Sequence, residues 1–317
     1  MLFRHELGQP LPPDGCRAAV GTEALRCTGV LALVAGLLAA NLSTPAVRAA
    51  GRVDVLYAGS LLNQMKRDVG PAFDKTTGDQ FRGSPGGSFM LANQIKGGLR
   101  QADVLISASP KVNNALMGAA NGDKVRWYIT FAQSPLVIGY NASSKFASEF
   151  KTRPWYQVLQ ESGIRIGRTN PQFDPKGAST LMLLKRAETF YNIPGLSEKI
   201  IGVNGAQVLP VAEDLEPGLL QSGVLDVGFF YLTETADAKI PTLALPVAIA
   251  PMAIFTVTIL HNATNPEGAA EFVAFLLGSD GRSLLKEHGL TLQQMHLLGD
   301  AGTVPRNIKA IVDKARE

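Results

Sequence analysis

Short runs of Val, Leu, Ile and Phe alternate along this chain with segments whose apolar residues recur at helical spacing, and few architectures accept that alternation. Residues 53–57 (VDVLY) read as a buried strand that meets Ala58-Gly59-Ser60. Ser60 is placed to cap a helix carrying Leu62, Met65, Val69 and Phe73 on one face, kinked at Pro71. Gly86-Gly87-Ser88 precede a second amphipathic segment over 89–95, closed by Gly97 and Gly98, and residues 102–106 (ADVLI) form the next strand. The pattern resumes with strands at 136–140, 164–167 and 224–231 and helices at 155–159 and 178–191, and ends with helices at 266–277 and 280–288. Residues 247–260 (VAIAPMAIFTVTIL), broken by Pro251, read as buried strand rather than a membrane span. The expected class is α/β.

Composition narrows the function. The chain has 317 residues, room for two domains, and its 46% hydrophobic against 18% charged residues suit a folded core. With 30 Lys and Arg against 27 Asp and Glu the net charge is only +3, without the clustered basic stripe that nucleic acid requires, so nucleic acid is not an expected partner. Arg17 and Arg26 lead into the apolar run 29–42, followed by small residues at Ala46, Ala49 and Ala50, the pattern of a cleavable signal peptide over 1–49. A retained anchor is the alternative, disfavoured because the run falls short of the ~20 residues that span a bilayer. Cys16 and Cys27 both lie in that leader, so the exported chain would have neither thiol chemistry nor disulfides. His261, His288 and His296 have no partner at metal-ligand spacing, and His288 before Gly289 reads as a helix C-terminal residue. No catalytic motif occurs, and neither catalytic residues nor a cofactor are expected. Ser60 and Ser88 each sit at a strand-to-helix junction, where free backbone N–H groups and the positive helix end can hold an anion; for either alone, helix capping is the competing reading. The segment 83–88 (GSPGGS) by itself reads as a flexible turn.

Together the segments YAGSL (57–61), GGS (86–88), ADVLISAS (102–109), WYITFAQSPLVIGY (127–140), GRTNPQFDPKG (167–177) and LDVGFFY (225–231) resemble the solute-binding proteins of molybdate and tungstate ABC transporters, and the match spans most of 53–290. The resemblance implies a periplasmic-binding-protein fold of two α/β lobes joined by crossover strands, with an oxyanion in the cleft. Residues 50–133 with 247–317 would form one lobe and 134–246 the other. It implies ligand contacts from the Ser60 and Ser88 hydroxyls, a backbone N–H at Ser134, and Asp174 and Tyr231 from the opposite lobe. Asp174 would be the residue able to touch the metal of the oxyanion, because the position from which this family can supply a second carboxylate is Phe230 here. Such a protein would work outside the cytoplasm as a monomer, delivering its ligand to a membrane permease. Molybdate, tungstate and sulfate are unprotonated dianions and ask for donors, so Asp174 must bind the metal, accept a ligand proton or turn away. Two other readings stay open: a receptor of this fold for sulfate, phosphate or ferric iron, and a secreted α/β enzyme using Asp174, Glu213 and Tyr231.

Overall fold

The structure, a computed structural model, describes residues 51–202 and 208–315. The expected signal peptide lies outside the described residues. Among those described, no helix is long and apolar enough to cross a membrane.

The strands are β1 (Arg52–Ala58), β2 (Gln80–Gly86), β3 (Val104–Ser107), β4 (Trp127–Tyr140), β5 (Ile166–Thr169), β6 (Val208–Val211), β7 (Val227–Tyr231), β8 (Thr242–Leu243), β9 (Met252–Ile259) and β10 (Thr291–Gly299). The helices are α1 (Gly70–Thr77), α2 (Ser88–Lys96), α3 (Pro110–Asn114), α4 (Glu149–Thr152), α5 (Trp155–Val158), α6 (Pro175–Tyr191), α7 (Leu196–Ile201), α8 (Glu216–Gln221), α9 (Leu232–Ala238), α10 (Pro266–Leu277), α11 (Ser279–Glu287) and α12 (Arg306–Lys314). The α/β class expected from the alternation is the one observed.

β4 organises the rest. Its first half lies between β9 and β10, with Ile129 opposite Val257 and Pro135 opposite Met252. Its second half pairs instead with β7 and β8, Leu136 opposite Tyr231 and Tyr140 opposite Val227. One sheet therefore runs β2-β1-β3-β9-β4-β10 and the other β8-β4-β7-β5-β6, and both share this strand. Sequence reading places a strand only over 136–140; the observed strand starts at Trp127. Pro135 makes the run look broken, but it sits where β4 changes partners, a point at which one missing N–H costs the ladder least.

β1, β2 and β3 are parallel, and β1 is buried on both faces: Val53, Val55 and Tyr57 pack with Val104 and Ile106 into the main core, while Leu56 and Leu105 pack on the other side with Leu91 and Ile95 of α2. This is why VDVLY reads as continuous apolar rather than alternating. β2 escaped detection because it is an edge strand carrying Gly83, Pro85 and Gly86, and an edge tolerates proline. Phe73 of α1 and Phe81 of β2 close on Phe272 of α10, ring centroids 5.1 and 5.5 Å away. The buried strand expected over 247–260 is shorter: Val247 is 94% exposed, and β9 begins only at Met252, just after Pro251.

The helix expected to start at Ser60 is reorganised. Ser60 lies inside a single 3₁₀ turn, Gly59–Leu61, and a π-helical stretch, Gln64–Val69, runs into α1, whose first turn holds Pro71. A proline there needs no N–H partner, so the expected kink gives way to a junction between helix types.

His288 caps the C-terminus of α11 as its position suggested, and also bridges parts of the fold remote in sequence. Its Nε2 lies 2.8 Å from Asp68 Oδ2 in the π-helical stretch, and its Nδ1 bonds Asp237 of α9. Partial burial pulls its pKa down, but the two carboxylates outweigh that and raise it above the ordinary 6.5. A raised imidazole pKa stabilises the fold fully below its unfolded value, and that stabilisation is lost as pH climbs through the folded value. His288→Gln should therefore lower the melting temperature more at about pH 6 than at about pH 8.5. Thermal unfolding at the two pH values checks this, and equal losses would refute it.

Candidate functional site

The carboxyl ends of the parallel strands of both sheets meet at one seam, the place where an open α/β sheet leaves a crevice. From the first sheet come the turn after β1, with Ser60, and the start of α2, with Ser88. From the second come the N-cap of α6, with Asp174, the segment before α8, with Glu213, and the end of β7, with Tyr231. All five are at most 3% exposed.

The two sides touch. Met90 N–H of α2 donates to the Phe173 carbonyl at 2.9 Å, and a Cβ on Gly87 would come within 2.6 Å of that oxygen and 3.2 Å of Asp174 Oδ2. A Cβ on Gly59 would lie 3.0 Å from Glu213 Oε2. Only glycine lets either backbone approach the opposite carboxyl so closely. Gln64 Nε2 adds a 2.7 Å bond to Thr233 Oγ1. A cleft of about 320 Å³ opens beside this seam, lined by Ser60, Asn63, Arg67, Asp214, Asp237 and Lys239 among others.

The polar atoms at the seam are unusual in what they lack. Ser60 Oγ is buried without a hydrogen-bond partner, while Asp174 Oδ2 and the Glu213 carboxyl have only each other, and Tyr231 Oη only Ser179, as close polar partners. Ser88 Oγ accepts from Ala108 N–H at 3.2 Å, which leaves its own proton free to point elsewhere. Asp174 is well held through its other oxygen: Oδ1 accepts from Lys176 N–H at 2.8 Å as the cap of α6 and from Thr169 Oγ1 at 3.1 Å. The acid is thus fixed by one oxygen and presents the other. Ser134, fully buried in β4 opposite Ala253, accepts the Thr233 N–H on its Oγ at 3.2 Å and so anchors the start of α9.

Phe230 points away from this set. It alternates with Tyr231 along β7 and packs into a separate core patch with Val137, Leu220, Leu225 and Ile240. The second carboxyl near Asp174 belongs to Glu213, which sequence reading singled out only as part of an enzyme alternative. No local signal could have promoted it, because the turn that carries it meets Asp174 only through the tertiary fold.

Behind the donors lies a buried charge cluster. Lys176 Nζ, with no exposed side-chain surface, sits 2.9 Å from Glu216 Oε2 and 2.7 Å from Glu234 Oε1. Burial alone would strip its proton, but Glu216, Glu234, Glu213 and Asp174 together hold it firmly charged. Burial and the neighbouring Asp174 push the Glu213 carboxyl well above the carboxylate range, toward the protonated form. Burial lifts Glu216 to about 7 against the pull of Lys176. Burial and Asp174 likewise hold the Tyr231 phenol protonated, as a donor. The set therefore offers hydroxyl protons from Ser60, Ser88 and Tyr231 beside the two neighbouring acids, Asp174 and Glu213. Among the described residues no group of His, Cys, Asp and Glu is arranged to hold a bare metal ion.

Known proteins share this chain's sequence pattern and fold. The chain is 26% identical over 312 residues to the molybdate/tungstate-binding protein WtpA of Thermococcus kodakarensis, covering 82% of this chain and 86% of that one. It is 28% identical over 272 residues to an uncharacterized solute-binding protein of Petrotoga mobilis, covering 75% and 83%. Among solved structures, the Azotobacter vinelandii periplasmic molybdate-binding protein superposes with a TM-score of 0.63 at 23% identity, over 76% of this chain and 100% of that one, and so shares the fold. Residues 53–291 match the family model for bacterial extracellular solute-binding proteins, and the chain belongs to that family.

Proposed function

We propose that the protein is the extracytoplasmic receptor of an ABC transporter, closing on molybdate or tungstate and presenting the occupied form to a membrane permease. One observation carries this reading: hydroxyl and carboxyl groups from both sheets are buried together at one seam, with Ser60 Oγ unpartnered and the others short of partners. Native proteins leave very few buried polar atoms unpaired, so such a cluster marks a ligand set. Two relatives named as molybdate/tungstate-binding proteins support the choice of ligand.

Ser60 and Ser88 donate from one lobe and Tyr231 from the other, while Asp174 and Glu213 approach the metal centre, a contact open to molybdate and tungstate but not to sulfate. Two ionised carboxylates facing a dianion would repel it, so protonation of Glu213 in the free protein lowers the cost of holding the site ready. Ser134 serves by fixing the start of α9 at the point where β4 changes sheets. The lobes are residues 50–133 with 247–317, and 134–246; the change of partners at Pro135 and Leu136 supports that division. The protein works as a monomer, exported by its leader, and performs no chemistry. A donor set without a base–nucleophile pair supports a receptor over an enzyme.

Calorimetric titration with molybdate, tungstate, sulfate, phosphate and ferric iron tests the assignment. Tight binding of the first two is expected; heat from phosphate or iron alone would replace the ligand. Ser60→Ala and Ser88→Ala should each weaken binding by about 1–3 kcal/mol. Because Ser88→Ala also strands the Ala108 N–H, it should cost more stability than Ser60→Ala, which thermal unfolding would show.

Asp174→Asn and Glu213→Gln separate metal contact from simple proximity. Each should reduce molybdate and tungstate affinity about tenfold or more, about 1.4 kcal/mol, without weakening any residual sulfate binding. Stronger molybdate binding in Asp174→Asn would mean that the carboxylate only repels the ligand.

A further inference from the structure

We propose that Lys176 is the positioning residue of this site, its ion pairs to Glu216 and Glu234 holding Asp174, Glu213 and Tyr231 in mutual register. The proposal rests on the reading of those three residues as ligand contacts from one lobe.

Each of the three lies on a different segment, and nothing along the chain sets their spacing. Lys176 reaches all of them within a few atoms. It follows Asp174 by two residues in the first turn of α6, and its own backbone N–H caps back to Asp174 Oδ1 at 2.8 Å. Its ammonium contacts Glu234 Oε1 at 2.7 Å, while the other oxygen of that carboxylate accepts the Tyr231 N–H at 2.7 Å. The same ammonium contacts Glu216 Oε2 at 2.9 Å, three residues beyond Glu213 on the segment entering α8. One cation thus ties the α6 cap, the 213–216 segment and the end of β7.

The strands behind it make room for the arrangement. A Cβ on Gly228 of β7 would lie 2.9 Å from Glu216 Oε1, and one on Gly167 of β5 would lie 3.3 Å from the same atom. Lys176 Nζ also stands over the Phe230 ring, 5.2 Å from its centroid. A buried ion triad is a poor way to gain stability, because well-packed apolar side chains often do as well or better. What it supplies here is direction: short charge-assisted bonds that fix three segments to one point.

The test compares the wild type with Lys176→Met and with the neutral triple variant Lys176→Met/Glu216→Gln/Glu234→Gln. The triple variant removes the ammonium together with both carboxylates it touches, and keeps the test informative if the single variant does not fold. Two readouts are used: molybdate titration, and hydrogen exchange of the ligand-free protein. The triple variant should fold yet bind molybdate about tenfold more weakly, as misplaced donors do. That loss should be non-additive with Asp174→Asn and additive with Ser60→Ala, because Lys176 acts through only one side of the site. In hydrogen exchange, amides at 174–177, 213–216 and 231–234 should speed up together while those around Ser60 and Ser88 stay as they were. A triple variant with wild-type molybdate affinity, or faster exchange confined to α6, would overturn the proposal. If the wild type binds no molybdate, the ligand assignment fails instead, and the exchange pattern still decides the role of Lys176.

Discussion

Everything in this fold hangs on β4, which gives its first half to one sheet and its second half to the other. Hydrogen-bond ladders transmit position rigidly along a strand, so the change of partners at Pro135 and Leu136 sets where the carboxyl ends of β1, β2, β5 and β7 can meet. Those ends carry the turns and helix starts where backbone groups are free and short polar side chains are favoured. The gathering of Ser60, Ser88, Asp174, Glu213 and Tyr231 at one seam follows from a sheet arrangement that none of them determines.

The elements that sequence reading found are those whose burial is two-sided or whose helical face is broad. VDVLY is legible because β1 is covered on both faces, and α6 and α10 because their apolar residues recur over several turns. β2, β6 and the beginning of β4 lack such a signal: glycine or proline punctuates β2 and β6, Pro135 cuts the start of β4 off from the apolar run after it, and their pairing comes from partners far along the chain. The serines could be nominated, since a hydroxyl at a strand-to-helix junction is a local feature. Asp174 is named only through the family pattern, since an acid before a proline in a turn has no local mark of burial, and it is 2% exposed. Glu213 and the bridge between His288, Asp68 and Asp237 had no local trace, because each exists only when segments remote in sequence close on one another.

The charge cluster behind the site carries a cost that the core around it must offset. Removing an ammonium and several carboxyl groups from water is unfavourable even when they are paired, and part of that penalty is relieved by leaving Glu213 protonated and lifting Glu216 to about 7. The free protein thus resembles a site poised between charge states rather than one with fixed charges.

The close approach of Gly87 to Phe173, and of Gly59 to Glu213, also bears on how binding strength is built. On the proposed reading, each sheet alone presents a half-site of only two or three groups to the anion, Ser60 and Ser88 on one side and Asp174, Glu213 and Tyr231 on the other. Joined through continuous strands instead of a slack linker, the halves face one another at a high effective concentration, so the second set of contacts forms almost without further entropic loss. On this view the protein behaves as a chelator whose two arms are whole sheets. Stiffening or loosening the strand connection would tune affinity without altering any atom that touches the ligand.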